Sequence, residues 1–505
     1  MERSEFQGSR KVESMLAHVC GLIMVVTGLG IIISAAVEAL TSGPNVLELL
    51  IPGILTTVGG YVGWRVTAIP SRIQVVDVFI TVTGAWVVLS LIGAVPYMLS
   101  GTLGRFDLAL FESISGFTTT GATVLRPIED VSKGILFWRA ITQWLGGMGV
   151  IVLVVAVLPT VGAGGMDLLQ AEAPGPTGER LTPRVRHTAR RLWALYLGFT
   201  GAVMLAYLIA GMGIYDAIYH SFTTVSTGGF SPYNDSIHAF DSGLIEWIAI
   251  VCMFIAGTSF TLLFRALRGR PGAFLQSAEF KLYLGVVVVA TVIVMFTAGD
   301  GTAGWDGFRD ALFTVNAVVS TTGYATADFD LWGDAARAII LLLMPLGGMA
   351  GSTAGGVKMI RILAVGSFAR REALRQLHPR IVRPVRIGKT TLSDAVAFRV
   401  LGFLVLALSI FGLSSLLIAI SGTDMVTAFS AAATSFGNVG PGLNLVGPKS
   451  DFLTLPTPAI TVAFVTMILG RLEIYPVVLA LLAFTRASPA TLRRQIEKSR
   501  SGLGT

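Results

Sequence analysis

The chain has 505 residues, of which 53% are hydrophobic and only 13% charged, a balance that excludes a soluble globular protein. Its formal net charge of +7 would suit a nucleic-acid binder, but the bases gather on one side of an alternating series of apolar runs, which marks orientation in a bilayer instead. Cys20 and Cys252 both lie inside apolar segments, so neither a disulfide framework nor a cysteine metal site is indicated.

In chain order, a polar, basic N-terminus (Arg3, Arg10, Lys11) leads into an apolar run at about 15–40, too long for the apolar region of a cleaved signal peptide. Further runs long enough to cross a bilayer follow at about 45–66, 73–99, 134–159, 190–213, 242–266, 279–299, 336–363, 394–420 and 456–485, for ten crossings. Shorter apolar pieces at about 107–118, 214–225, 308–319 and 424–436 are too short to cross and read as re-entrant helices. Twenty-eight of the 37 Lys and Arg fall in six segments on one side of this count, among them 180–191, 265–281, 358–389 and the C-terminus from Arg486. The positive-inside rule therefore predicts that both termini are cytoplasmic. The opposite face is acidic, with Asp107, Glu129, Asp130, Asp216, Asp328 and Asp424 among its acids, and is expected to concentrate cations at a pore mouth.

Each re-entrant piece ends in a short glycine segment: Thr119-Thr120-Gly121, Ser226-Thr227-Gly228, Thr321-Thr322-Gly323 and Asn438-Val439-Gly440. The glycines stand 107, 95 and 117 residues apart. A unit of helix, re-entrant helix, glycine loop and helix thus recurs four times. The expected fold is all-α and polytopic, with a two-helix leader (1–70) and pore repeats at 71–175, 176–272, 273–385 and 386–505 in pseudo-fourfold array. Non-helical backbone at membrane depth is tolerated where it is buried or lines a water-filled cavity. Glycine accepts φ > 0 there and leaves the axis open. Four such loops can present carbonyl oxygens to a dehydrated monovalent cation, and the C-terminal ends of the re-entrant helices favour a cation at the centre. No ring of carboxylates occupies these positions, which argues against a divalent-cation filter.

The eighth span is interrupted between Pro345 and Gly356 by five glycines, Gly347, Gly348, Gly351, Gly355 and Gly356, around Ser352 and Thr353. With each glycine costing about 1 kcal/mol and proline about 3 kcal/mol, this stretch cannot form a sound helix. It reads either as an obstruction beneath the loops or as tight packing through small residues. Gly146–Gly149 and Ala256–Ser259 occupy the equivalent point of the first two units and read as packing. Arg471 lies near the middle of the last span, where a charge is costly and must face a cavity. Glu473, two residues on, does not share its helical face. Glu473 and Asp77 read as packing partners or proton handles. Gly388-Lys389-Thr390 imitates the end of a Walker A motif, but Arg383 stands where its first glycine is required. No nucleotide site is expected on this chain.

The segments FESISGFTTTGATV (111–124), TTVSTGGFSP (223–232), VSTTGYATADF (319–329) and GNVGPGL (437–443) resemble the filter segments of the Trk/Ktr/HKT superfamily of potassium transporters. The resemblance covers essentially the whole chain, and the leading hairpin is similar to TrkH-type members rather than the shorter KtrB form. It implies a transporter and not an enzyme, with potassium as both transported and filter-bound ion. Some plant members with serine in the first loop favour sodium, a change absent here. It further implies that 347–356 is an intramembrane gating loop and that Arg471 is a pore arginine raising a barrier below the filter. A homodimer in a bacterial inner membrane is implied too, with TrkA-type nucleotide-binding subunits docked on basic segments 364–390 and 486–501. The competing expectations are a sodium-conducting or weakly selective transporter, and a non-conducting sensor of ion occupancy.

Overall fold

The computed structural model describes residues 12–70, 75–157, 182–299, 304–380, 384–388 and 390–486. Among these are eighteen helices and two small two-stranded pairings. The leader is α1 (Met15–Leu40) and α2 (Val46–Val66). Glycines spaced seven apart on both helices, Gly21 and Gly28 against Gly53 and Gly60, let the two backbones meet. A Cβ on Gly28 would stand 2.6 Å from the Thr57 amide and 2.8 Å from the Gly53 carbonyl. Such close approach is how helices associate where lipid removes the hydrophobic drive. Gly28→Leu is therefore expected to splay the hairpin at a cost of about 1–3 kcal/mol, read as a lower unfolding temperature of the detergent-solubilised protein. At the end of α1, Glu38 is fully buried and accepts from the backbone amides of Asn45 (3.0 Å) and Gly134 (2.6 Å), tying the leader to the first repeat.

The first repeat is α3 (Val75–Leu99), the re-entrant α4 (Phe106–Phe117) and α5 (Lys133–Val157). The second is α6 (Thr182–Ile209), α7 (Ile214–Val225), α8 (Gly243–Ala256) and α9 (Phe260–Leu267). After the one-turn α10 (Ala273–Gln276), the third runs through α11 (Ala278–Thr297), α12 (Gly304–Val319), α13 (Asp334–Leu343) and α14 (Met359–Leu377). The fourth is α15 (Asp394–Ile420), α16 (Met425–Gly437), α17 (Thr457–Arg471) and α18 (Tyr475–Arg486). Asp107, Asp216 and Asp306 sit in the first turns of α4, α7 and α12, and Asp424 caps α16. A carboxylate thus meets the positive end of each re-entrant helix.

Among the described residues, six helices are long and apolar enough to cross a membrane, and two further pairs are bent by 104° (α8–α9) and 106° (α17–α18). Two of the expected spans, 242–266 and 456–485, are therefore broken, and the eighth, 336–363, is interrupted between Leu343 and Met359 as its glycines and proline predict. In contrast, α5 runs helical through Gly146–Gly149. The packing expectation holds for that segment and fails for Ala256–Ser259, where the chain turns sharply. The reason is a backbone partner. Met349 donates to the Gly257 carbonyl (2.9 Å) and Phe260 donates to the Gly351 carbonyl (3.0 Å), so the 344–358 segment satisfies groups that a helix break exposes. Of the Walker-like tripeptide, Gly388 follows β1 (Val385–Ile387), Thr390 opens the antiparallel β2 (Thr390–Leu392) and Lys389 lies outside the described residues, so Thr390 begins a strand and not a helix. The basic segment 364–390 is largely α14 plus this hairpin. Of 486–501, only Arg486 is described.

Candidate functional site: four loops around one axis

The re-entrant helices all end in the same way. Thr119, Thr227, Thr321 and Asn438 adopt left-handed φ of 54–57°, and Gly121, Gly229, Gly323 and Gly440 have φ of 72–113°. The residue between each pair donates back five residues into its own helix: Thr120 to Ser115 (2.9 Å), Gly228 to Thr223 (2.8 Å), Thr322 to Ala317 (2.8 Å) and Val439 to Thr434 (3.0 Å). Equivalent residues are thus Gly121, Gly229, Gly323 and Gly440. The expected register of the second loop is one residue off: Gly228 matches Thr120, Ser226 matches Thr118, and Gly229 is the ring glycine.

The ring closes on itself. A Cβ on Gly121 would collide with the Gly228 carbonyl oxygen, one on Gly229 with that of Thr322, and one on Gly323 with that of Val439. On Gly440 it would stand 2.8 Å from the Thr120 oxygen. Each loop therefore seats its glycine against the carbonyl just before the next loop's glycine, and the fourth loop returns to the first. All four ring glycines line one cavity that is open to solvent. Its charged lining comprises Arg126, Arg139, Lys449 and Asp451, which does not fit the acidic mouth expected beside the loops. The bases there are matched by carboxylates: Arg126 by Asp451 (3.5 Å), Lys449 by Asp235 (3.1 Å) and Arg139 by Glu112 (2.7 Å).

On the other side of the ring lies the 344–358 segment, buried from Ser352 to Val357. Positive φ at Gly347, Gly351 and Gly356 (72–74°) folds it back on itself. The Gly355 amide donates to Thr321 Oγ1 of the third loop (2.7 Å), and Thr353 Oγ1 donates to the Val225 carbonyl at the end of α7 (3.0 Å). Glu279 of α11 accepts from the Ala350 amide (2.7 Å). Arg471 does not lie in mid-helix. It is the last residue of α17, immediately before a break at which Glu473 and Ile474 take φ of 58° and 63°. Its side chain is buried and donates Nη1 to the Thr353 carbonyl (2.9 Å) and Nη2 to the Gly146 carbonyl (3.4 Å). Glu473 pairs with Arg361 of α14 instead of Arg471. The Lys358 ammonium, also buried, donates to the Ala354 carbonyl. Three cations, Lys358, Arg361 and Arg471, thus stand below the ring near one carboxylate.

Gln143 and Tyr324, to which the sequence gave no role, complete the site together with the side chain of Asn438. Gln143 of α5 donates to the Gly228 carbonyl (2.6 Å) and accepts from the Phe230 amide (3.1 Å). Tyr324 reaches from the third loop to the Thr223 and Thr224 hydroxyls (2.5 and 3.1 Å). Asn438 Nδ2 donates to Thr120 Oγ1 (2.9 Å) and to the Met467 carbonyl (3.0 Å). For Gln143 the available signal was a polar side chain in an otherwise apolar helix.

The TrkH family of cation transport proteins matches residues 51–299 and 302–487. The chain belongs to this family. The Trk system potassium uptake protein TrkH of Halomonas elongata is 40% identical over 410 residues, covering 80% of this chain and 84% of that protein. TrkG of the Escherichia coli Trk system is 32% identical over 478 residues, covering 93% and 98%. The crystal structure of the potassium transporter TrkH from Vibrio parahaemolyticus superposes with a TM-score of 0.84 at 33% identity, over 92% of this chain and 98% of that one. The fold is therefore a polytopic membrane protein of a two-helix leader and four repeats around one pore.

Proposed function

We propose that this protein takes up potassium through the ring of Gly121, Gly229, Gly323 and Gly440. The closed sequence of glycine-to-carbonyl contacts carries the reading: it brings four main-chain segments to one axis, where carbonyls can replace the hydration shell of a monovalent cation. The relatives named as potassium uptake proteins supply the ion. The left-handed Thr119, Thr227, Thr321 and Asn438, with Thr120, Thr322 and Val439, form the remaining filter wall. The glycines and Ser352-Thr353 of the 347–356 segment act as a gate that hydrogen bonds hold against the filter. Arg471 adds a positive barrier at the gate, and Lys358 and Arg361 extend it. The functional assembly is a homodimer in the bacterial inner membrane with cytoplasmic termini. A TrkA-type nucleotide-binding subunit docks on the basic segments, and this chain itself binds no nucleotide.

Growth decides the reading first. Expression in a bacterium lacking potassium uptake systems is expected to restore growth on low potassium, whereas a non-conducting sensor gives none. In liposomes containing the purified protein, potassium is expected to outcompete sodium. Equal permeability of the two ions would replace the potassium filter with an unselective cation pore.

A further inference from the structure

Behind the first two loops lies an ion pair that the ring contacts do not need. Glu112 of α4 and Arg139 of α5 meet at 2.7 Å with both side chains fully buried. Burying two charges costs more than an apolar pair of the same volume, so packing alone does not account for them. The other bonds of the pair have a pattern. Glu112 accepts from the Thr123 hydroxyl and the Val124 amide (both 3.0 Å), just past Gly121. Arg139 donates to Thr123 Oγ1 (3.1 Å) and to the Ser231 carbonyl (3.2 Å), just past Gly229, and its guanidinium lies 3.9 Å from the centre of the Phe230 ring. One helical turn further along α5, Gln143 grips Gly228 and Phe230. The second loop is thus held on both sides of its ring glycine from one face of α5. By contrast, neutral bonds join loop three to α7 through Tyr324 and loop four to loop one through Asn438.

We infer that Glu112, Arg139 and Gln143 are positioning residues that fix the spacing between loops one and two, and thereby set how well the ring discriminates potassium from sodium. The inference rests on the reading of the ring as an ion filter. The guanidinium fork has a planar shape that a lysine ammonium cannot reproduce, which makes the interaction directional as well as charged. Arg139 also lines the cavity beside the ring. Its charge would repel an approaching cation if Glu112 did not neutralise it. Charge and geometry are therefore separable: Glu112→Gln alone leaves the positive charge, whereas Glu112→Gln with Arg139→Gln restores neutrality without the fork.

The test measures potassium and sodium permeability in proteoliposomes for the wild type, E112Q, R139K, the E112Q/R139Q double variant and Q143L, with thermal unfolding of each in detergent. The double variant and R139K are expected to lose about tenfold in permeability ratio, because sub-ångström placement is what the site sells as specificity. E112Q is expected to lose potassium flux as well, since its uncompensated cation faces the path. An unchanged ratio in a double variant that unfolds at the wild-type temperature overturns the inference. If the double variant does not fold, Q143L decides on the same measure, because it removes two neutral bonds and no charge. G229S run in parallel separates the two readings. If its ratio changes while those of the pair and Gln143 variants do not, the positioning role alone fails, and if none changes the filter itself is misassigned.

Discussion

Alanine at Gly229 or Gly323 is expected to destroy potassium selectivity, Gly121→Ala to impair it strongly, and Gly440→Ala to be the mildest of the four. The order follows from the space at each glycine. The carbonyl of the adjoining loop crowds a Cβ most tightly at Gly229 and Gly323, less at Gly121 and least at Gly440, where the gap is 2.8 Å. All four also have φ between 72° and 113°, a region that costs an L-residue about 1–3 kcal/mol. A loss of 1.4 kcal/mol in discrimination is about tenfold in the permeability ratio, so the tight positions are expected to lose at least about that much. Gly121→Ser belongs to the same series and is expected to lower potassium preference. Gly228→Ala is the comparison within the same loop. Its φ is ordinary, the nearest atoms to its Cβ belong to the Gln143 amide rather than to backbone, and Thr120, Thr322 and Val439 carry side chains at the equivalent point, so its effect arises through displacement of Gln143 and not through the ring itself. Its loss of selectivity should be the smaller. Reversal potentials under potassium–sodium gradients measure the whole series, and a Gly228 variant worse than its Gly229 counterpart would restore the other register.

That register shows where sequence reasoning stops. The apolar re-entrant runs located all four helices within a few residues, because length and hydropathy act locally. The second loop reads STGG where the third reads STTG. Gly228 directly follows the hydroxyl pair, as Gly121 and Gly323 do, which draws the eye to it, whereas the positive φ falls at Gly229. Breaks behaved likewise. Gly146–Gly149 and Gly257 sit at equivalent points and are similarly rich in small residues, yet one segment stays helical and the other bends by 104°. What differs is a partner about ninety residues away in sequence, Met349, whose amide takes the Gly257 carbonyl. Glu112 stood in plain view within the first re-entrant segment, but its cation is 27 residues distant on another helix and had no local signature. Arg471 was legible because a charge in an apolar span is conspicuous. Its place at a helix end was not, since the break that follows rests on Glu473 and Ile474 adopting left-handed backbone.

Replacing Arg471 by alanine is expected to raise potassium flux. The side chain does two things at once: its guanidinium places a buried positive charge below the ring, and its donation to the Thr353 carbonyl (2.9 Å) holds the 347–356 segment in place. Through that segment the restraint reaches the filter, because Thr353 Oγ1 bonds Val225 and the Gly355 amide bonds Thr321. On the proposal that Arg471 is a barrier at the gate, alanine removes the barrier and the tether together, and lowering a barrier by 1.4 kcal/mol raises a rate about tenfold. Arg471→Lys keeps the charge without the planar fork, so flux should rise less. Shortening the segment by deleting Gly347 and Gly348 removes the obstruction while leaving Arg471, and should raise flux even with the charge present. The combination with Arg471→Ala should then add little, since both changes act on one device. Initial rates of rubidium or potassium uptake into liposomes, normalised to inserted protein, give the comparison. Lower flux in Arg471→Ala at unchanged protein stability would mean that the guanidinium supports conduction, and that Lys358, Arg361 and Glu473 balance a charge the path requires.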